Sequence, residues 1–255
     1  MPATIFVLGA ADPEMVAIEK ILESNDQPWT VAEDSHGRRV RGDAYHACIP
    51  DTAGFDRVVR VECSWPGADT DPRVGVIDHH FPGDPGYGMP PSHSWEGSSL
   101  GQLCGMLNVA PSRWLRMIAA ADHCLRAAYA GECPWVDVYE LAKWRLETKA
   151  AHQNRTVEDV AADVESAMLK LVTAERISIA GVLVANFGDE TIPELPEASA
   201  RLGAPFLAQP ANPAGRRKIV LQSAPPEVVR EWMATCGLKD VYGDPARGLA
   251  GGYLE

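Results

Sequence analysis

At 255 residues the chain is long enough for one large domain or two small ones, with a sizeable buried core. Its net charge of −12 opposes binding to long nucleic acid, although small nucleotides held through a metal remain compatible with it. Six scattered cysteines without a CxxC pair exclude a zinc ribbon and a disulfide frame. No apolar run approaches the roughly 18 residues of a membrane span, no signal-peptide pattern opens the sequence, and a cytoplasmic location is expected.

Thr4-Ile5-Phe6-Val7-Leu8 reads as a first strand. Asp12 then stands as a helix N-cap with Pro13 at the first helical position. Val16, Ile18, Ile21 and Leu22 give helical spacing over Glu14 to Glu23. Trp29 to Ala32 is a second strand, followed by a polar segment, Glu33 to Ala44, and by His46. Arg57 to Cys63 and Arg73 to Ile77 are further strands. Strands alternating with helices predict a parallel sheet flanked by helices.

Ser98 to Leu107, Ser112 to Ala121, Val136 to Ala150 and Thr156 to Ala174 read as helices, with Asp122 and His123 closing the second. Val157, Val160, Ala161, Val164, Met168, Leu171 and Val172 form one apolar face of the last, a core stripe. Beyond about residue 176 the strands Ile177 to Ala185 and Arg217 to Ser223 and the helices Pro193 to Leu202 and Pro225 to Cys236 predict a smaller α/β domain. The expected division is residues 1–150, a connecting helix at 151–176, and residues 177–255, with a cleft between the two domains.

The chemistry concentrates at the ends of these elements. Asp78, His79 and His80 follow the strand Arg73 to Ile77 and precede a loop rich in glycine and proline. Ligands collect at the carboxyl ends of strands in open α/β sheets. A carboxylate and two imidazoles are costly to bury there without a metal or a phosphate. Asp12 with Glu14, Glu62, and Asp122 also follow apolar runs, so all converge on one edge. Carboxylates suit Mn²⁺ or Mg²⁺, and Mn²⁺ also accepts imidazole. Two such ions, roughly 3.5–4 Å apart, would activate a water and clamp a phosphoryl group.

On these residues the chain resembles the DHH phosphoesterase superfamily, of the two-domain type that includes nanoRNases and other small-nucleotide phosphodiesterases. Asp78, His79 and His80 match the DHH tripeptide, and Asp122 the fourth acidic motif. Glu62 stands where an aspartate is usual. Asp12 and Glu14 stand for the DxD of the first motif, whose histidine falls at Leu8. Gly243 to Tyr253 resembles the family's glycine-rich substrate-holding segment, with Asp244 in place of its histidine. Leucine cannot hold a metal, and each aspartate-to-glutamate change moves a carboxylate by one methylene. His36 or His46 either replaces the missing ligand or is an ordinary loop histidine.

The resemblance implies a hydrolase acting on a small nucleotide or another small phosphorylated substrate through a metal-activated water. Asp12, Glu14, Glu62, Asp78, His79 and Asp122 would hold one or two Mn²⁺ or Mg²⁺ ions, and His80 would contact the phosphoryl group. Asp78, His79 and His80 form the catalytic core of this expectation. Arg247, Gly248, Gly251 and Gly252 would bind the substrate, since glycine amides approach anions closely and arginine adds a charge-assisted bond. Trp65 and Trp95 either stack on a base or belong to the core. Arg216, Arg217 and Lys218 either form a binding patch or a solvated strand edge. The competing expectation is a degenerate protein on the same fold that binds a nucleotide or a partner without turnover. Oligomerisation is open, and no membrane partner is expected.

Overall fold

A computed structural model describes residues 3–42, 44–210 and 217–254. Arg216 lies outside the described residues. The chain is α/β and divides into two compact units: residues 1–89 with 94–122, and residues 90–93 with 123–255. The division falls well before residue 150, so the helices around the expected connecting segment belong to the second unit.

The first unit is built on four parallel strands in the order β2-β1-β3-β4, with β1 at Thr4–Leu8, β2 at Trp29–Val31, β3 at Arg57–Val61 and β4 at Val74–Ile77. The central position of β1 explains its unbroken apolar run: Ile5, Phe6, Val7 and Leu8 are all buried. Helix α1, Pro13–Ser24, starts where the Asp12 side chain accepts the Met15 amide at 2.7 Å. Met15, Ile18 and Leu22 are its fully buried ridge. Trp65 packs with Ile5, Val7, Ala32 and Val58 in the core of this unit. Trp95 lies under the Arg116 guanidinium, 5.7 Å from the ring centre. Three more helices follow: α2, Ser94–Gly97; α3, Ser99–Leu107, capped by Ser98; and α4, Arg113–His123.

The second unit holds helices α5 (Leu125–Tyr129), α6 (Val138–Gln153), α7 (Val157–Thr173), α8 (Leu195–Leu202) and α9 (Pro226–Thr235). Its mixed sheet has the order β5-β6-β7-β8-β10-β9, with β5 at Arg176–Ile179, β6 at Val182–Asn186, β7 at Phe206–Ala208, β8 at Lys218–Gln222, β9 at Lys239–Asp244 and β10 at Leu249–Tyr253. Among the described residues of this sheet, β6 and β7 pair in parallel and the other neighbours antiparallel. Val160, Val164, Ala167 and Leu171 of α7 are buried, whereas Val157 and Val172 of the expected stripe are exposed. Glu197 of α8 is fully buried and ties α5 and α6 together, accepting from Tyr129 and from Arg145 Nε at 3.0 Å.

One reading of this half changes. Ile177 to Ala185 is a tight antiparallel hairpin, turning at Ala180 (φ 49°) and Gly181 (φ 76°). The glycine-rich tail is a second hairpin, β9–β10. No helix among the described residues is long and apolar enough to cross a membrane.

Candidate metal centre

The parallel register brings Leu8, Val61 and Ile77 level at one edge of the first sheet. The residues immediately beyond them, Gly9, Glu62 and Asp78, therefore begin the site. Glu62 is held in the left-handed region at φ 50°, a conformation that costs a non-glycine residue about 1–3 kcal/mol. Its amide donates to Ile77 O at 3.1 Å, and the Gly9 amide donates to Val61 O at 2.9 Å. A Cβ on Gly9 would stand 2.3 Å from the Glu62 carbonyl oxygen, so this approach requires glycine.

Helices supply the remaining groups. Glu14 comes from the first turn of α1 and Asp122 from the last turn of α4. The ligand atoms of Glu14, Glu62, His79 and Asp122 all lie within 4.8 Å of one another. Opposite ligands of a single cation coordinated at about 2.2 Å are about 4.4 Å apart, so this spread suits one ion. His79 is fully buried, and its Nε2 lies 3.3 Å from Glu62 Oε1 and 3.2 Å from Asp122 Oδ2. Glu14 is buried too. Its Oε1 accepts the Leu100 amide of α3 at 3.0 Å, while Oε2 has no hydrogen-bond partner among the described residues. A buried carboxylate oxygen left in that state is costly. A cation among these donors would satisfy it, so the residues present fit a hard divalent ion.

The electrostatics carry the same strain. Burial, with the charges of Asp122 and Glu62, raises the Asp12 carboxyl to about 8. Burial and the same two neighbours hold Glu14 well above the usual carboxylate range. Burial also acts to raise Glu62, but the hydrogen bond from His79 and the charges of both histidines outweigh it and hold Glu62 low.

Asp78, expected among the ligands, is absent from the groups of converging ligand atoms, and its carboxylate accepts hydrogen bonds from its neighbours. Asp78 Oδ1 accepts the His79 amide at 2.7 Å, the His80 amide at 3.1 Å and His80 Nδ1 at 2.9 Å. The Tyr45 hydroxyl donates to the same carboxylate, 3.0 Å from Oδ2. The Asp78 backbone is clamped as well. Gln102 Nε2 donates to its carbonyl at 3.0 Å, as does the Gly86 amide at the same distance. With Nδ1 donating to Asp78, the His80 tautomer leaves Nε2 as an acceptor or ligand. His80 forms a second group of candidate ligands with Glu62 and His79.

Other expected residues fall outside the converging set. Asp12 caps α1 with Oδ1 and belongs to neither group of candidate ligands. Leu8 is fully buried in the strand core. His36 and His46 are exposed and join no group of candidate ligands among the described residues. Tyr45 is the participant that sequence reasoning missed. It lies in a short 3₁₀ turn with no periodicity or motif to mark it, and only the fold brings its hydroxyl to Asp78.

In the second unit, Gly251 and Gly252 sit inside β10, which pairs on one side with β8 and on the other with β9. A Cβ on Gly251 would meet the Tyr242 hydroxyl at 2.3 Å, so close strand packing accounts for this glycine. Gly248, at φ 72°, makes the turn between β9 and β10, and its amide donates to Asp244 O at 3.1 Å. Asp244 is buried and accepts the Ala246 amide at 2.8 Å. Arg247 Nε donates to His123 O at 2.9 Å.

No protein-family model and no curated protein sequence matches the chain. Among solved structures, it is similar to the pGpG-specific phosphodiesterase PggH from Vibrio cholerae, at 11% identity and a TM-score of 0.42, over 99% of this chain and 93% of that one. A likeness that distant transfers no activity.

Proposed function

We propose that the chain is a metal-dependent phosphohydrolase of the DHH type, acting on a small nucleotide or another small phosphorylated substrate. The observation that carries this reading is the convergence of Glu14, Glu62, His79 and Asp122 within 4.8 Å, together with the buried, unpartnered Glu14 Oε2. In this reading the first unit performs the chemistry and the second recognises the remainder of the substrate.

Glu14, Glu62, His79 and Asp122 would hold one divalent cation, Mn²⁺ or Mg²⁺, in keeping with a carboxylate and imidazole donor set. Such an ion supplies Lewis-acid polarisation of a phosphoryl group and of an attacking water. A single ion is favoured because the buried Leu8 offers no donor and Asp12 is engaged as a helix cap. His80, oriented by Asp78, presents Nε2 to a phosphoryl oxygen. Protonated, it would donate a charge-assisted hydrogen bond there. Asp78 and Tyr45 act through His80 rather than on the substrate.

The test is hydrolysis of bis-p-nitrophenyl phosphate and of short dinucleotides by the full chain, with and without Mn²⁺. The expected result is Mn²⁺-dependent turnover that falls at least a hundredfold in His79→Ala and Asp122→Ala. Metal binding and nucleotide binding without turnover would favour the degenerate binding protein instead.

A further inference from the structure

A cavity of about 300 Å³ lies in the second unit, and three arginines line it: Arg126 of α5, Arg230 of α9 and Arg247 of the β9–β10 turn. Gly248 and Glu132 border it too, and Glu132 is the one carboxylate on its wall. Neither Arg126 nor Arg230 has an ion-pair partner among the described residues. Arg126 Nε is buried without a hydrogen-bond partner. That is an unusual arrangement in a chain of net charge −12, where acids outnumber bases by 35 to 23.

The fold fixes the elements that carry these arginines. Arg247 is pinned through Nε to His123 O at 2.9 Å. Tyr129, at the end of α5, donates to the buried Glu197, which holds the short helix carrying Arg126. Pro226, the first residue of α9, is on the cavity wall, so the positive end of that helix dipole adds to the field. Three cations against one carboxylate leave a net positive cavity, which selects an anion of more than one charge. Phosphate oxygens suit guanidinium forks, where paired parallel bonds form. The volume lies at the lower end of ligand pockets, large enough for a phosphate with an organic part, and alanine and proline supply apolar wall for that part.

We propose that this cavity binds a small organic phosphomonoester, with Arg126, Arg230 and Arg247 holding its phosphate. The proposal rests on residues of the second unit alone and needs no metal, although Arg247 is shared with the substrate-binding set that the resemblance implies. Arg126 and Arg230 belong to no sequence motif that suggested a function.

The experiment uses the full chain, stripped of metal on a chelating resin and titrated calorimetrically at fixed ionic strength. The probes are a nucleoside 5′-monophosphate, ribose 5-phosphate, inorganic phosphate and the unphosphorylated nucleoside. At least one of the two organic phosphates is expected to bind once per chain, more tightly than inorganic phosphate, and the nucleoside not at all. Arg230→Ala and Arg126→Ala should each weaken binding at least tenfold, Glu132→Gln should not weaken it, and His79→Ala should leave it unchanged. Arg230 is exposed, so its variant decides the matter even where Arg126→Ala fails to fold. Binding unaffected by Arg230→Ala, binding of the nucleoside as tight as that of its phosphate, or binding lost in His79→Ala would each overturn the proposal. So would inorganic phosphate binding as tightly as either organic ester.

Discussion

The Glu62 carbonyl oxygen occupies the space a Cβ on Gly9 would need, only 2.3 Å from it. The ends of β1 and β3 can therefore close on one another only with glycine after β1. That closure fixes Glu62 at φ 50° and directs its carboxylate toward His79. Gly9→Ala is expected to destabilise the chain by about 1–3 kcal/mol, as overpacking does, and to weaken Mn²⁺ binding at least tenfold. Thermal melts and a metal titration check both. Unchanged metal affinity would show that Glu62 can be placed without this contact.

Glu14→Gln should separate stability from function. Burial and nearby acids raise the Glu14 carboxyl and so favour its neutral form, which the glutamine amide resembles in shape and charge. The expected outcome is a metal-free melting temperature equal to or above wild type, with Mn²⁺ affinity at least tenfold lower. A variant that melts well below wild type yet binds Mn²⁺ normally would contradict the assignment.

Asp12 predicts a pH dependence. Its carboxyl is raised from 3.8 to about 8, so the folded chain holds a proton that the unfolded chain releases. Its stabilising contribution is complete below the lower value and is lost as pH rises through the upper one. Metal-free stability should therefore decline between about pH 5 and 8 more steeply in wild type than in Asp12→Asn, which keeps the helix cap. Parallel slopes for the two proteins, followed by calorimetry across that range, would remove Asp12 as the cause.

Tyr45 and Asp78 should act as positioning residues. Tyr45→Phe removes one donor from the Asp78 carboxylate and leaves the His79 and His80 amides on it. Turnover is expected to fall about tenfold, at a loss near 1.4 kcal/mol per decade. Metal affinity should stay within twofold. A drop in metal affinity equal to the drop in turnover would make Tyr45 part of the cation site itself.

Much of this architecture is legible in the residues, for identifiable reasons. The strand Thr4–Leu8 is a continuous apolar run because β1 is covered on both sides, and Asp12-Pro13 is a strong helix start. The clustering of Glu14, Glu62, His79 and Asp122 follows from their places at element ends. Periodicity carries no information about which carboxylate oxygen is already engaged. Nothing in the sequence therefore shows that the Asp78 carboxylate is met by four donor groups of Tyr45, His79 and His80. Hairpins hide in the same way. Ala180 in the left-handed region replaces the asparagine or aspartate that usually precedes the turn glycine, here Gly181, and Gly243, Gly251 and Gly252 serve strand packing. The arginine cavity assembles Arg126, Arg230 and Arg247 from three elements distant in sequence, which no local pattern reports.

The most direct test of the account is a metal count on the full chain. The protein is dialysed against Mn²⁺, freed of excess ion and analysed by inductively coupled plasma mass spectrometry. One Mn²⁺ per chain is predicted for wild type and for His36→Ala and His46→Ala, falling to near zero in His79→Ala. Two ions per chain, none at all, or an unchanged count in His79→Ala would contradict a single cation held by Glu14, Glu62, His79 and Asp122.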